Sequence, residues 1–91
     1  MLKPRLTHTA LLALHHLLQH EKADGATITR ATGVKSGSLY PIMKRFEVAG
    51  WLSSAAEEGD ARMLGRPLCR FYALTETGRK ETLLAISKIT N

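Results

Sequence analysis

Cysteine is nearly absent from this chain: Cys69 is the single thiol among 91 residues. An internal disulfide is therefore excluded, and one lone thiol fits a reducing compartment. Aromatic residues are also few, with two phenylalanines, two tyrosines and one tryptophan. The core must therefore be built mainly from aliphatic side chains. No apolar run reaches the roughly 18 residues that a membrane-spanning helix needs, and no small-residue cleavage site follows Lys3 and Arg5. Neither a membrane partner nor a signal peptide is expected, and the protein is read as cytoplasmic. A nucleophile elbow, a phosphate-binding glycine loop and a metalloprotease helix are all missing, so no enzyme activity and no cofactor are expected. Acidic residues are in deficit, eight against thirteen lysines and arginines, for a net charge of +5 and an isoelectric point near 9.8. That balance favours an anionic partner, most often nucleic acid. A single domain of this size hides only roughly 60–65% of its unfolded surface, so oligomerisation would help it.

Hydrophobic spacing gives the order of elements. Pro4 precedes a helix over residues 7–20, with Thr7 as a possible cap and Leu11, Leu14 and Leu18 at helical spacing. Ala10, Leu12 and Leu17 broaden this stripe beyond what one small core needs, which points to a second subunit. A short helix follows over Ala26 to Thr32, with Ile28 and Ala31 as inward candidates and Gly33 as its stop. A second, longer helix spans residues 36–49, with Leu39, Ile42, Met43 and Phe46 on its inner side. Pro41 lies near its start, where a missing amide donor does little harm. Short helix, turn and second helix form a helix-turn-helix pattern. Trp51 and Leu52 open a strand through Ala55 or Ala56, residues 57–67 form a loop, and Leu68 to Leu74 returns as the partner strand. Thr75 then caps a last helix, with Glu76 favourable to its dipole and Leu83, Leu84, Ile86 and Ile89 on its apolar side. The expected fold is α+β and mostly helical: a winged helix-turn-helix of three helices, a two-stranded β-wing and a short C-terminal helix. Residues 1–74 would form the DNA-binding domain, and residues 75–91 a dimerisation helix packing with helix 7–20.

Three stretches resemble the PadR family of bacterial winged-helix transcriptional regulators. The first is Gly37-Ser38-Leu39-Tyr40-Pro41 running into Lys44-Arg45-Phe46-Glu47 and Gly50. The second is Gly65-Arg66-Pro67, and the third is Phe71-Tyr72-Ala73-Leu74-Thr75-Glu76-Thr77-Gly78-Arg79. The likeness covers about residues 7–79. It implies a homodimeric repressor that binds double-stranded operator DNA, and it allows a small-molecule inducer that no residue here identifies. Where the family often carries a basic pair after the wing proline, this chain has Leu68 and Cys69, which leaves Arg70 to supply the charge.

The candidate DNA-binding residues are Lys35, Ser36, Ser38, Tyr40, Lys44, Arg45, Arg66 and Arg70. Lys35, Ser38, Tyr40 and Lys44 would contact phosphates and set the register. Ser36 and Ser38 suit a helix N-terminus, as caps and as donors to an anion that the helix dipole favours. Tyr40 could instead close the end of the core, and Arg45 could pair with the protein's own acids. Arg66, between a turn glycine and a stiff proline, would reach a narrow A·T-rich minor groove from the wing tip. Glu57, Glu58 and Asp60 would then lie away from DNA. His16 and His20 are spaced to share a metal, but no third ligand is evident, so no metal is expected. Trp51 is read as a core residue rather than a ligand platform. The competing function is a protein-docking winged helix, which would expose apolar residues where this sequence offers Ser38, Lys44 and Arg45.

Overall fold

The structure, a computed structural model, describes residues 4–90, with the backbone alone at Thr90. Residues 1–3 and 91, at the ends of the two expected domains, lie outside the described residues. Helix α1 (His8–Gln19) is capped by Thr7, whose hydroxyl accepts from the Ala10 amide at 3.1 Å. Strand β1 (Ala23–Asp24) leads directly into α2 (Gly25–Thr32), and α3 spans Ser36–Val48. Strand β2 (Leu52–Ala56), a single helical turn α4 (Ala61–Leu64), strand β3 (Arg70–Leu74) and helix α5 (Glu76–Thr90) complete the chain. The sheet is antiparallel in the order β1-β3-β2, with Ala23 opposite Tyr72 and Ser54 opposite Tyr72 on its other side. This is the winged helix-turn-helix architecture, α2 and α3 being the helical pair and β2–β3 the wing.

Two additions to the expected elements have local causes. Strand β1 is only two residues long, too short to show an alternation in sequence, and it exists because β3 offers a free edge. The loop after β2 contains α4 because Asp60 caps it, its carboxylate accepting from the Arg62 amide at 2.9 Å, and Gly65 stops it at φ +73°. A left-handed residue after a helix is most cheaply a glycine. Gly33 closes α2 in the same way at φ +78°.

The core is the meeting of three helices over the wing root. Ala10, Ala13, Leu14 and Leu17 of α1 are buried, as are Ile28, Val34, Leu39, Met43, Phe46, Trp51 and Leu52. The α1 stripe thus runs through positions 10, 13, 14 and 17 rather than through Leu11 and Leu18, which are only partly covered. Two alanines on the inner face let α1 approach its neighbours closely, which the leucine spacing alone concealed. Ala31 is exposed, against expectation, so Ile28 alone anchors the middle of α2. Phe46 meets Trp51 edge to face at 5.0 Å between ring centroids, a contact worth about 0.5–1.5 kcal/mol beyond simple burial.

Helix α5 begins where α3 ends. The Thr75 amide donates to the Trp51 carbonyl at 2.9 Å, and the Thr75 hydroxyl donates to the Gly50 carbonyl at 2.7 Å. That hydroxyl also accepts from the Gly78 amide at 3.0 Å, which makes Thr75 the cap expected of it. Gly78 lies so close that a β-carbon there would sit 1.9 Å from the Trp51 oxygen. By contrast, a β-carbon on Gly37 in α3 would meet nothing within 4 Å. Gly78→Ala should therefore lower unfolding stability by about 1–3 kcal/mol, whereas Gly37→Ala should raise it by up to about 1 kcal/mol. Urea unfolding of the two variants checks the pair, and a neutral Gly78→Ala would show that the junction is looser than this contact implies.

Candidate nucleic-acid interface

Helix α3 presents its polar side outward because its apolar residues recur at three- and four-residue spacing and are all used inside. Leu39, Ile42, Met43 and Phe46 are buried, while Ser36, Ser38, Tyr40, Lys44 and Arg45 are exposed. Pro41 is also exposed, and the helix continues through it. At the N-terminus the cap position is Lys35, and no side chain caps the helix. The expectation that Ser36 or Ser38 caps α3 is thus corrected: Ser36 is already the first helical residue. The Ser38 and Leu39 amides donate to the Lys35 carbonyl, and the amides before them face outward with the positive end of the dipole.

Tyr40 is half exposed, and its ring lies over α2. A β-carbon on Gly25 would fall 2.3 Å from the Tyr40 hydroxyl. The missing side chain at Gly25 thus makes room for the ring. The ring covers the start of α2, as the core-closing reading of Tyr40 expects, and the residue stays half exposed.

The strand alternation brings Arg70 to the same region. Arg70, Tyr72 and Leu74 share one face of β3, and Leu52, Ser54 and Ala56 oppose them on β2. At the inner end this face is apolar and packs into the core; at the outer end it turns polar. Tyr40, Lys44, Glu47, Arg70 and Tyr72 line an open cleft of about 450 Å³ between α3 and the wing. Burial pushes the Tyr72 phenol upward from its ordinary value, and the neighbouring Tyr40 adds to the shift. Arg70 donates to the Ser54 hydroxyl at 2.8 Å, and Ser54 donates to the Glu47 carboxylate at 2.5 Å. Glu47, Ser54 and Tyr72 were not foreseen as part of the site. The signal for them was the hairpin register, which sequence alone left open by several residues.

Arg66 is placed differently from the expectation. Its guanidinium grips Glu57 in a two-pronged pair at 2.7 and 2.8 Å. It also donates to the Pro67 carbonyl and to the Cys69 sulfur. Glu57 in turn accepts from the Cys69 amide at 3.1 Å, and the Glu57 amide donates to the Cys69 carbonyl at 2.7 Å. Arg66 is thus held just past the outer end of the strands, beyond the Ala56–Arg70 pair, and not at a free tip. Glu57 lies beside it rather than on an opposite side of the loop. The sequence showed both charges but not that α4 would fold the chain back between them.

The structure therefore gathers Tyr40, Lys44 and Arg70 around one cleft. Arg66 and Arg70 also border an adjoining groove with Tyr40 and Gly25. Lys35, Ser36 and Ser38 stand apart at the helix start, and Arg45 lines neither groove. Elsewhere on the surface, the His16 and His20 rings stack with centroids 4.3 Å apart. Burial lowers the His16 pKa, and the charges of His20 and His15 add to that effect. Among the described residues no three His, Cys, Asp or Glu side chains are grouped for a metal. None of the described helices is long and apolar enough to cross a membrane.

A helical pair with an exposed polar second helix, flanked by an antiparallel wing, defines a winged-helix protein. Residues 14–83 match the transcriptional regulator PadR-like family, and the chain belongs to that family. That family is one of transcriptional regulators. The chain is 32% identical over 87 residues to the HTH-type transcriptional regulator SarZ of Staphylococcus haemolyticus (strain JCSC1435), a match spanning 93% of this chain and 55% of that protein. It thus spans about half the length of that curated relative. A PadR family transcriptional regulator from Eggerthella lenta DSM 2243 shares the fold at a TM-score of 0.75 and 22% identity, over 89% of this chain and 70% of that one. Reduced AbfR bound to DNA, a protein of Staphylococcus epidermidis, matches at a TM-score of 0.71 and 26% identity, over 91% of this chain and 56% of that one.

The Arg66 guanidinium holds the Glu57 carboxyl at about 2, far below its usual 4.5, with help from the Cys69 amide. Because the folded value lies below the unfolded one, the stability this pair lends is complete above about pH 4.5 and is lost as pH falls toward 2. Carboxyl NMR should find Glu57 among the last acids to protonate, and Arg66→Ala should return it toward 4.5. An unshifted Glu57 in the parent protein would mean that the pair is open in solution.

Proposed function

We propose that this regulator is a homodimeric repressor that binds a near-palindromic site on double-stranded DNA in the cytoplasm, through helix α3 and the wing. The observation that carries the reading is the convergence of Tyr40, Lys44 and Arg70 on the exposed side of α3, in a chain of net charge +5. Lys44, Tyr40 and Arg70 would meet phosphates beside the groove that α3 enters. Lys35, Ser36 and Ser38 would receive a further phosphate at the helix start. Arg45 would face the groove or its rim. Arg66, tied to Glu57, would act mainly by holding the wing in shape, and its reach into a minor groove would require that pair to open. DNA-bound AbfR, similar in fold and 26% identical, supports duplex DNA as the partner.

The dimer would form through α1 and α5. These helices pack together and leave Leu83, Leu84 and Ile89 exposed beside Leu6. An open groove of about 330 Å³ between them is lined by Leu11, Leu84, Ala85 and Ile89. Residues 75–91 would thus serve as a dimerisation helix beside α1, with residues 1–74 as the DNA-binding unit.

Selection of bound sequences from random duplex DNA at physiological salt tests the function. An inverted repeat with half-sites about 34 Å apart is the expected outcome, and recovery of no common sequence would refute sequence-specific binding. Light scattering at micromolar concentration should give twice the 10.0 kDa chain mass. A monomer that stays monomeric on DNA would remove the dimer. With about six phosphate contacts per dimer, log K should fall against log salt with a slope near −5, and Lys44→Ala should make it shallower by about two. A flat response between about 50 and 200 mM salt would point to a protein partner instead.

A further inference from the structure

Arg66 and Arg70, two of the wing's arginines, are held in opposite ways. Arg66 closes on a carboxylate, Glu57, through both of its terminal nitrogens. Its positive charge is matched at contact distance and largely removed from the outer field. Arg70 donates to a neutral hydroxyl, Ser54 Oγ, at 2.8 Å. The acid of that region, Glu47, stands one bond further back and accepts a hydrogen bond from the Ser54 hydroxyl at 2.5 Å. The hydroxyl acts as a spacer. It fixes the direction of the guanidinium without bringing the carboxylate into the planar two-bond grip that would neutralise it.

This arrangement spans three elements. Glu47 belongs to α3, Ser54 to β2 and Arg70 to β3, so the chain of bonds ties the exposed helix to both strands of the wing. Ser54 is partly covered, whereas Arg70 is exposed. A free arginine on a strand surface loses substantial rotamer freedom when it binds. Arg70 has lost part of that freedom already, and it stands over the cleft that Tyr40, Lys44 and Tyr72 also line.

We infer that Glu47 and Ser54 are positioning residues which hold Arg70, together with Tyr40, Lys44 and Tyr72, as a preset clamp for one backbone phosphate of duplex DNA. The inference rests on the DNA-binding reading given above, and it adds two residues that touch no DNA themselves. The phosphate would take its charge partners from Lys44 and Arg70 and a hydroxyl from Tyr40. Glu47 also lines the cleft, where its carboxylate opposes the phosphate, and its favourable part is the position it gives Arg70 through Ser54.

A double-mutant cycle on a duplex recovered by selection tests this, with affinity read by fluorescence anisotropy. Ser54→Ala should weaken binding about three- to ten-fold, the cost of ordering one arginine at the moment of binding. In an Arg70→Ala background the same Ser54→Ala change should cost almost nothing. The salt slope should become shallower by about one per subunit with Arg70→Ala and stay unchanged with Ser54→Ala, because the latter retains the charge. Ser54→Thr, which keeps the hydroxyl and suits a strand, should recover most of the affinity lost in Ser54→Ala. Glu47→Gln, which keeps an acceptor, should likewise recover most of what Glu47→Ala loses. Equal losses from Ser54→Ala in both backgrounds would reduce Ser54 to a folding role and overturn the inference. Tighter binding by Ser54→Ala would also overturn it, since the hydroxyl would then be competing with phosphate for Arg70. Should the parent protein bind no duplex, the DNA reading itself fails and the clamp fails with it. Should the parent bind and the cycle prove additive, only the clamp fails.

Discussion

Three segments of the chain meet at the carbonyl groups of Gly50 and Trp51, and the rest of the molecule is arranged around that junction. The Trp51 amide donates back to the Phe46 carbonyl at 2.9 Å as α3 ends. The two carbonyls then accept from the amide and the hydroxyl of Thr75 as α5 begins. The Trp51 ring packs on Phe46, and Gly78 allows the first turn of α5 to rest against the Trp51 backbone. The angle between α3 and the wing is set here, since β2 starts one residue later at Leu52. So is the position of α5 beside α1. A side chain at position 78 would push these elements apart, and no contact elsewhere could restore both directions at once.

From that rigid root the wing extends into solvent, and its outer half is held by polar contacts. On the face shared by Arg70, Tyr72 and Leu74, apolar pairing ends at Tyr72, which stands opposite Ser54; beyond it the face carries Ala56 and Arg70. Surface ion pairs contribute little as a rule, because solvent screens them and long side chains must be ordered. The Arg66–Glu57 pair departs from that rule in geometry, being two-pronged and tied to the Cys69 amide as well. It closes the segment between β2 and β3, which carries α4 and a cluster of exposed apolar side chains at Met63, Leu64 and Leu68. Such a segment has little core of its own, so specific polar contacts must limit its motion.

What the sequence disclosed and what it concealed divide along the range of the interactions involved. Helices α1, α2 and α3 were legible because their signals are local: Thr7 as cap, Gly33 as stop, and the spacing of Leu39, Ile42, Met43 and Phe46. The junction at Thr75 was legible for the same reason. The exposed side of α3, with Tyr40, Lys44 and Arg45, followed directly from its buried side. Strand β1 was hidden because two residues carry no period, and α4 because Asp60 and Gly65 looked like ordinary loop residues. The placement of Arg66 required knowing that α4 folds the chain back toward Glu57. The Glu47–Ser54–Arg70 connection required the strand register, which a shift of one residue would have turned to the opposite face.

The spacing of charge along α3 bears on how the helix would meet DNA on the proposed reading. Lys35 stands at the N-cap and Lys44 nine residues later, a rise of roughly 13–14 Å at about 1.5 Å per residue. The major groove is about 12 Å wide, so cations at these two points can address the sugar-phosphate borders of a groove that the helix crosses. Between them lie only Ser36, Gly37, Ser38, Tyr40 and Pro41 on exposed positions, which are short or ring-bearing side chains with limited capacity to read base edges. Phosphate geometry would then carry much of the binding energy, and sequence preference would depend on how readily a given duplex offers its two borders at that separation. A wing whose arginine is directed by a hydroxyl, rather than left to swing, is the arrangement such geometric reading calls for. It makes the phosphate shared by Lys44 and Arg70 a fixed point relative to the one at Lys35.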